Sequence, residues 1–414
     1  MKIYVYIDAE GLTDYPLLIG ELSVESLRGK EVFSFRANEN WISNKTFSFL
    51  DPDLQNLYGQ QFLPEGKMNF GMFLDSSPDR WGRMLMKRRE RIRAKLCGNQ
   101  PKTLMESDYL LGVFDGNRMG ALRFKTEPDG KFLDNDSLMA TPPVTSLRTL
   151  EQASLGYESE DAEDKPEYEE WLKMLYAPGS SLGGARPKAN VIDGKGDLWI
   201  AKFPSKNDDT DVGAWEFVCN QMAKQFGLRT SEFDAKCFYS KHHTFLTKRF
   251  DRNNGHRLYF ASAMTLLGRN DGDHDASYLE LAEFIERYGC DVEKDLHELW
   301  KRIVFNIAIS NCDDHLRNHG FILNRKGWTL SPAYDLNPSA YGMGLSINID
   351  DADNSLSFEL AMQTAQYFGI DSITANQEVE NIRMIRSNWR NLANNIGISR
   401  SEQNEIEIAF TRSV

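Results

Sequence analysis

The chain has 414 residues, 41% of them apolar and 11% aromatic, which is enough for two or three domains of about 150 residues each. Its 48 basic and 61 acidic residues give a formal net charge of −13, which opposes non-specific binding to nucleic acid or anionic membranes. No apolar run approaches the roughly 20 residues that span a bilayer, so no membrane segment is predicted.

The cysteines and the first residues bear on the cellular compartment. The five cysteines are scattered and no two form a CxxC pair, which predicts reduced thiols and no zinc site. The stretch MKIYVYIDAEGL carries two acids within ten residues and lacks the apolar core of a signal peptide, so export is not expected. The sequence therefore predicts a cytoplasmic protein.

Residues 1–125 predict a β-rich subdomain around one helix. Apolar and polar residues alternate in KIYVYI, LIGELSV and KEVFSF, as in half-buried strands, and LGVFDGNRMGALRF (111–124) predicts a hairpin with an asparagine in its turn. Residues 78–96 predict a strongly basic helix. Its basic side chains could bind phosphates, but a solvated face is the commoner role of such a charge run. The apolar positions of this helix are Met84, Leu85, Ile92 and Leu96.

The remainder of the chain predicts a connection and then an α+β region. Residues 126–170 are polar and include an acidic block at 158–170, which predicts a connecting segment with a surface loop. Residues 171–414 follow as a second region. Its predicted parts are a glycine-rich loop at 177–188, a hairpin at 189–203, a helix at 212–228, two further strands, and mainly helices from about 278 onward.

A dense group of polar residues lies in SNCDDHLRNHGFIL (310–323), between an apolar helix-like and an apolar strand-like segment. Polar groups at this density between two core elements are costly unless something occupies them. Asp313 and Asn318 have the D-x-x-x-x-N spacing of the protein-kinase catalytic loop, residues 311–318 here. Asp335, in SPAYDL, follows at the place expected for a second metal-binding aspartate.

Other parts of an ATP site precede this stretch in the expected order. Lys202 follows the hairpin in WIAKF, where it could contact phosphates, and Glu216 on the next helix could hold that lysine. The loop SSLGGAR supplies flexible backbone, but it is neither GxGxxG nor a Walker A motif. Each signal alone is weak, and their order along the chain is what predicts a kinase.

Two metal-site alternatives are not favoured. His315 and His319 stand four apart, but the glutamate of HExxH is missing and the surrounding chain has the composition of a loop. The stretch NDGDHDASY (270–278) spaces three aspartates as a calcium loop does. Ala276 and Ala282 stand where an EF-hand requires glycine and glutamate, so a polar turn is predicted instead.

Several segments resemble those of the HipA-like serine/threonine kinases, the toxin half of bacterial toxin–antitoxin pairs. They are SSLGGARPKA, KRFDR, NCDDHLRNHGF and LSPAYDLNPS, with FLDSSPDRWGR and LGVFDGNRMGAL nearer the amino terminus. The resemblance covers most of the chain. It implies an α+β, protein-kinase-like fold with a small β-rich lobe, a large helical lobe and an added amino-terminal β-rich subdomain. It also implies ATP and Mg²⁺ as cofactors.

The resemblance assigns roles residue by residue. It implies Asp313 as the catalytic base, with Asp314 left as an alternative by the second acid in CDD, and Asn318 and Asp335 as Mg²⁺ ligands. Lys202 matches the lysine that contacts the ATP phosphates. The other implied nucleotide contacts are Leu182, Gly183, Gly184, Ala185, Arg186, Pro187, Lys248, Arg249, Phe250, His315, Leu316, Arg317 and Tyr334.

The resemblance also implies regulation and partners. A serine of the glycine-rich loop is autophosphorylated in that family. Ser180 matches it, with Ser181 as the adjacent alternative. A protein substrate and a small helix-turn-helix antitoxin of the HipB type are implied, with DNA reached only through that partner. The alternative function is a non-catalytic co-repressor that acts by docking the antitoxin. A catalytically dead kinase is a third possibility, which the intact set of Lys202, Asp313, Asn318 and Asp335 opposes.

Overall fold

The computed structural model describes residues 1–43, 50–54, 57–135, 141–159, 162–176, 184–273 and 275–412. The chain divides into two compact units, each containing helices and strands. The first unit comprises Met1–Asn207, Phe238–Ser240 and Asp251–Ala261. The second unit comprises Asp208–Cys237, Lys241–Phe250 and Ser262–Val414. Within the described ranges, no helix combines the length and the apolar character needed to cross a bilayer.

Helices and strands are both distributed through the described residues. Up to residue 207 they are β1 Lys2–Ile7, β2 Leu17–Leu27, β3 Lys30–Ala37, α1 Glu39–Ser43, β4 Gln60–Phe62, α2 Gly71–Asp75, α3 Arg80–Leu96, α4 Glu106–Leu111, β5 Leu122–Lys125, α5 Leu147–Tyr157, α6 Tyr168–Tyr176, β6 Lys188–Ile192 and β7 Leu198–Lys202. They continue with α7 Val212–Phe226, β8 Phe233–Lys236, β9 Thr244–Lys248, β10 Arg252–Asn253, β11 His256–Arg257, β12 Tyr259–Ser262, α8 Ala263–Leu266, α9 Tyr278–Tyr288, α10 Val292–Ile309, β13 Gly320–Asn324, β14 Gly327–Leu330, α11 Phe358–Thr364, α12 Ser372–Ser387, α13 Trp389–Ile396 and α14 Arg400–Thr411.

The first unit contains an antiparallel five-stranded sheet in the order β4-β3-β2-β1-β5. Along a strand, burial alternates from residue to residue because successive side chains point to opposite faces of the sheet. In β1, Ile3, Val5 and Ile7 are fully buried, while the residues between them are half-buried. The three strands predicted from alternation are therefore confirmed.

The hairpin predicted at 111–124 is wrong. Leu111 ends α4, a single 3₁₀ turn follows at Asp115–Asn117, and only β5 is a strand. The cause is Arg118, which is fully buried. Its guanidinium donates to four backbone carbonyls, so these groups are satisfied without a strand partner. The carbonyls belong to Ser76, Leu110, Val113 and Leu133.

The basic helix predicted at 78–96 is confirmed as α3. Asp79 caps it by accepting a hydrogen bond from the Gly82 N–H at 2.7 Å. Of the four predicted apolar positions, Leu85 is buried, but Leu96, the last residue of the helix, is 71% exposed. Several of its basic side chains are exposed to solvent: Lys87, Arg91, Arg93 and Lys95.

The segment predicted as a polar connection, residues 126–170, contains the helix α5 and the start of the helix α6. In α5, Leu147, Leu150 and Tyr157 lie at helical spacing and are buried, and the Tyr157 ring stacks on Tyr168 at the start of α6 with 5.8 Å between ring centroids. These helices share a core with α3, which supplies Trp81 and Leu85. The apolar stripe of α5 is short and has charged residues near it in sequence. The polar composition of residues 126–170 therefore did not reveal this helix.

The second unit is built around buried helices. In α10, the residues from Arg302 to Ile309 are all buried, so the helix runs through the core of this unit. The predicted helix at 212–228 and the two strands after it are confirmed as α7, β8 and β9, the strands pairing antiparallel. The hairpin predicted at 189–203, in the first unit, is confirmed as β6 and β7.

A buried carboxyl in the first unit predicts a pH dependence of stability. Asp51 is 1% exposed and accepts hydrogen bonds from the backbone N–H groups of Met72 (2.8 Å) and Asp53 (2.9 Å). Burial raises the pKa of this carboxyl to about 6. The folded state therefore binds more protons than the unfolded state between about pH 4 and 6, and the free energy of unfolding falls as the pH rises through that window.

We expect the variant Asp51→Asn to lack this contribution. Two pKa units correspond to roughly 3 kcal/mol, so the variant should gain about that much relative to wild type between pH 4 and 6.5. Urea unfolding of both proteins at several pH values measures the difference. A difference that stays constant with pH would show that Asp51 is not the group responsible.

Candidate active site

The polar stretch at 310–319 begins with a strained residue at the end of α10. Ser310 has φ 52° and ψ 46°, a left-handed conformation that helix ends usually give to glycine. Its hydroxyl donates to the Ala409 carbonyl at 2.9 Å, and its N–H donates to the Ile307 carbonyl at 3.2 Å. Non-glycine residues in this region are uncommon and cluster at functional sites, because surrounding structure must hold them there.

A compact turn then joins Asp313 to Asn318. The Asp313 carbonyl accepts from the His315 N–H at 3.0 Å and from the Asn318 side-chain amide at 2.9 Å. The Asn318 N–H in turn donates to the His315 carbonyl at 2.8 Å. The Asp313 carboxylate is exposed, whereas Asn318 is buried. Because Asn318 donates through its side-chain nitrogen, its side-chain oxygen takes no part in this bond.

The two neighbouring aspartates have opposite environments. Asp314 is 3% exposed, and its carboxylate lies 2.9 Å from Nε2 of His319, which is 2% exposed. The His319 ring packs edge-on against Tyr278, with 5.4 Å between centroids. Asp314 thus faces the interior beneath the turn, and Asp313 faces solvent. The only sequence signals for the pairing of Asp314 with His319 were the two adjacent acids in CDD and a histidine five residues after the second acid.

Tyr334 links three of the predicted segments. Its hydroxyl donates to the Arg317 carbonyl at 2.6 Å, and its ring lies 5.5 Å from the ring of Phe250, two residues after β9 ends at Lys248. The next residue, Asp335, is half-buried and has φ 60°. The structure therefore brings the turn, the 248–250 segment and the Asp335 segment together in the second unit.

The other predicted site residues of this unit either form ion pairs or are at least half-buried. The Arg317 guanidinium pairs with Asp271 at 2.8 Å. Asp271 is one of the three aspartates of the stretch 270–278, for which a polar turn was predicted in place of a calcium loop. Leu316 and Arg249 are buried, and His315 is half-buried. Lys248 pairs with Glu232 at 3.3 Å. Glu216, the predicted carboxylate partner of Lys202, lies on α7 and is 3% exposed.

The glycine-rich loop and Lys202 belong to the first unit. Ser180, Ser181, Leu182 and Gly183 lie outside the described residues. Gly184 has φ 86°, which a side chain would strain, and it is followed by Ala185, Arg186 and Pro187 before β6. Lys202 ends β7, directly opposite Lys188 in the hairpin.

Lys188 forms a buried ion pair that the sequence did not suggest. Its ammonium lies 2.9 Å from the carboxylate of Asp79, the cap of α3, and both side chains are 4% exposed. Burial raises the pKa of Asp79 despite this lysine and the Gly82 N–H. The pair joins the residue after GGARP to a helix 109 positions earlier, within one unit. It fixes the start of β6, where the glycine-rich loop ends.

The second unit carries oxygen donors of the kind that bind magnesium. Across the described residues, no three histidine, cysteine or acidic side chains converge on a metal position. Mg²⁺ is usually held by only one or two protein carboxylates together with water and substrate phosphates. Asp335 and the side-chain oxygen of Asn318 are oxygen donors of this kind.

Comparison with known proteins identifies the relationship. The structure resembles HipA of Shewanella oneidensis MR-1, solved with HipB and its operator DNA, with a TM-score of 0.67, 17% identity, and coverage of 99% of this chain and 95% of that chain. The predicted α+β, kinase-like fold class is thereby confirmed. A Haemophilus influenzae protein named "Putative kinase" is 25% identical over 187 residues, which are 40% of this chain and 54% of that protein. This chain thus matches only about half the length of that relative.

A family model gives the remaining finding. The model of the HipA-like C-terminal domain matches residues 180–399, more than half of the chain. The matched region includes the glycine-rich loop from Ser180, Lys202, the turn from Asp313 to Asn318, and Asp335. The chain therefore belongs to the family of proteins with a HipA-like C-terminal domain.

Proposed function

We propose that this protein is an ATP- and Mg²⁺-dependent serine/threonine protein kinase of the HipA type. The observation that carries the proposal is the turn at 313–318, which presents one acid to solvent and holds an asparagine through its side-chain nitrogen, next to the segment bearing Asp335. These are the groups that phosphoryl transfer requires, in their required order. The family match over 180–399 supports the same assignment.

Each residue of the proposed ATP site has its own role. Asp313 accepts the proton of the attacking hydroxyl, and Lys202 contacts the ATP phosphates. Glu216 is the carboxylate that the sequence offers as the partner of that lysine. Asn318 and Asp335 hold the metal, and bound Mg²⁺ would neutralise charge on the phosphates. The nucleotide-contacting set comprises Leu182, Gly183, Gly184, Ala185, Arg186, Pro187, Lys248, Arg249, Phe250, His315, Leu316, Arg317 and Tyr334.

The proposed partner is a small DNA-binding antitoxin of the HipB type. The Shewanella relative was solved in complex with HipB and operator DNA, which supports such a partner here. The net charge of −13 disfavours strong direct binding to DNA, so we propose that contact with DNA runs through the partner. A non-catalytic co-repressor that docks this partner is the second candidate function, and the same relative favours it.

A phosphate-incorporation experiment separates the two candidate functions. Incubated with Mg²⁺ and radiolabelled ATP, the wild-type protein should label its own glycine-rich loop, at Ser180 first and Ser181 second. A phosphate adds about −1.5 to −2 charges beside the ATP phosphates, so the modified loop should be driven away from the nucleotide and activity should fall. Mass spectrometry of the loop peptide maps the site.

The controls are Ser180→Ala/Ser181→Ala and Asp313→Asn. Equal loop labelling in Asp313→Asn would mean that another kinase is responsible. Labelling of an added acceptor protein without labelling of the loop would retain the kinase and reject the loop switch. Absence of any transfer, together with intact binding of the antitoxin, would favour the co-repressor.

A further inference from the structure

The segment after Asp335 presents two apolar side chains to solvent. Tyr341 is 89% exposed and Met343 is 85% exposed, the highest values among the large apolar side chains of the residues that the structure describes. The residue between them, Gly342, is half-buried. Burial of this apolar surface by a ligand would contribute a gain of about 25 cal/mol per Å².

This segment is attached to the residue immediately before Asp313. The Cys312 carbonyl accepts a hydrogen bond from the Ser346 hydroxyl at 2.7 Å. Gly342 lies directly against the Cys312 side chain, since a Cβ added to Gly342 would come within 2.2 Å of the Cys312 sulfur. Tyr341 and Met343 therefore flank the point at which the segment touches the catalytic turn.

The other side of the segment is fixed as well. Arg412 donates to the carbonyls of Gly342 and, at 3.1 Å, Ala340. The Leu345 N–H donates to the Asn354 carbonyl at 2.8 Å. The backbone that carries the two exposed side chains is therefore held on both sides of the glycine. A ligand that covered these side chains would lose little entropy in ordering that backbone.

We propose that Tyr341 and Met343 form the docking surface for the acceptor peptide of the protein substrate. The peptide carries an apolar side chain within about three residues of the serine or threonine, a span of roughly 10 Å of extended chain. The inference rests on the proposed kinase function. The acceptor oxygen forms a bond to the γ-phosphorus of ATP, the bond to the ADP oxygen breaks, and the hydroxyl proton passes to Asp313.

The geometry favours an extended peptide as the occupant. Asp313 must come within hydrogen-bond reach of the acceptor hydroxyl, and it directly follows Cys312, on which the docking surface is mounted. A peptide that covers Tyr341 and Met343 is thereby led to the exposed carboxylate. Apolar side chains are the partners that gain most from covering a tyrosine ring and a thioether.

An array of synthetic serine and threonine peptides with randomised flanking residues tests the inference in the full-length protein. Wild type should prefer peptides with Leu, Ile, Val, Met or Phe near the acceptor. Tyr341→Ser/Met343→Ser should lose that preference and raise the KM for the best peptide about tenfold or more, with the kcat and the KM for ATP retained. Ile373→Ser/Met384→Ser, which alters side chains 70% and 69% exposed on α12, is the matched control and should behave as wild type.

The possible results are distinguishable. Peptide labelling without an apolar preference, or equal KM values for wild type and the Tyr341→Ser/Met343→Ser variant, would overturn the docking surface and leave the kinase intact. Self-labelling without labelling of any array peptide would also count against it. If that variant changed only the oligomeric mass, the surface would join two copies and the inference would be wrong. Absence of all transfer would reject the proposed function itself.

Discussion

Replacing Asp313 by Asn should lower the rate of phosphate transfer by about 10²–10⁴-fold, the usual contribution of a positioned general base. The free energy of unfolding and the affinity for ATP should stay close to wild type. The reason is that Asp313 holds the turn through its backbone carbonyl, which accepts from His315 and Asn318, while its carboxylate is exposed. Transfer from radiolabelled ATP and thermal unfolding measure the two effects.

The matched control is Asp314→Asn, the same chemical change one residue later. This side chain is buried against His319, and asparagine keeps an oxygen that can accept a hydrogen bond from that ring. We expect measurable turnover and a loss of stability of about 1–3 kcal/mol, from the weakened buried contact. Retained activity in Asp313→Asn with loss in Asp314→Asn would contradict the assignment of the base.

The parts of the fold that the sequence predicted are those with local signals. The alternation in β1 and the turn glycine at 196, which has φ 90° between β6 and β7, are encoded within a few residues. The five-residue step from Asp313 to Asn318 is equally local, since one hydrogen bond closes that turn. Such features need no knowledge of the remaining chain.

The parts that were missed depend on contacts between distant residues. Nothing near 111–124 shows that Arg118 will be buried and will satisfy carbonyls as far away as Ser76. The Asp79–Lys188 pair joins residues 109 positions apart. Asp314 and His319 are close in sequence, but which of two adjacent acids faces inward is decided by the core beneath them, where Tyr278 receives the histidine ring. The hydrophobic periodicity of a segment does not show which of its polar residues will be buried by contacts with distant residues.

The second large effect is expected at Asp335. Asp335→Asn should lower phosphate transfer by at least about 10²–10³-fold, because a neutral amide replaces a carboxylate in the proposed metal site. Asparagine is the substitution of choice, since Asp335 has φ 60° and asparagine tolerates this left-handed conformation. The backbone that carries Tyr334 against the Arg317 carbonyl should therefore be preserved.

Thermal unfolding with ATP, with and without Mg²⁺, isolates the role of the metal. A ligand that binds only the folded state raises the unfolding temperature with its concentration. For wild type, Mg²⁺ should enlarge the shift that ATP produces, whereas Asp335→Asn should show the same shift in both conditions. Asp351→Asn removes an exposed carboxylate from the same unit and should retain the full Mg²⁺ effect. If Asp335→Asn responded to Mg²⁺ as wild type does, the metal would be held elsewhere, and a wild type with no response to ATP at all would reject the nucleotide site.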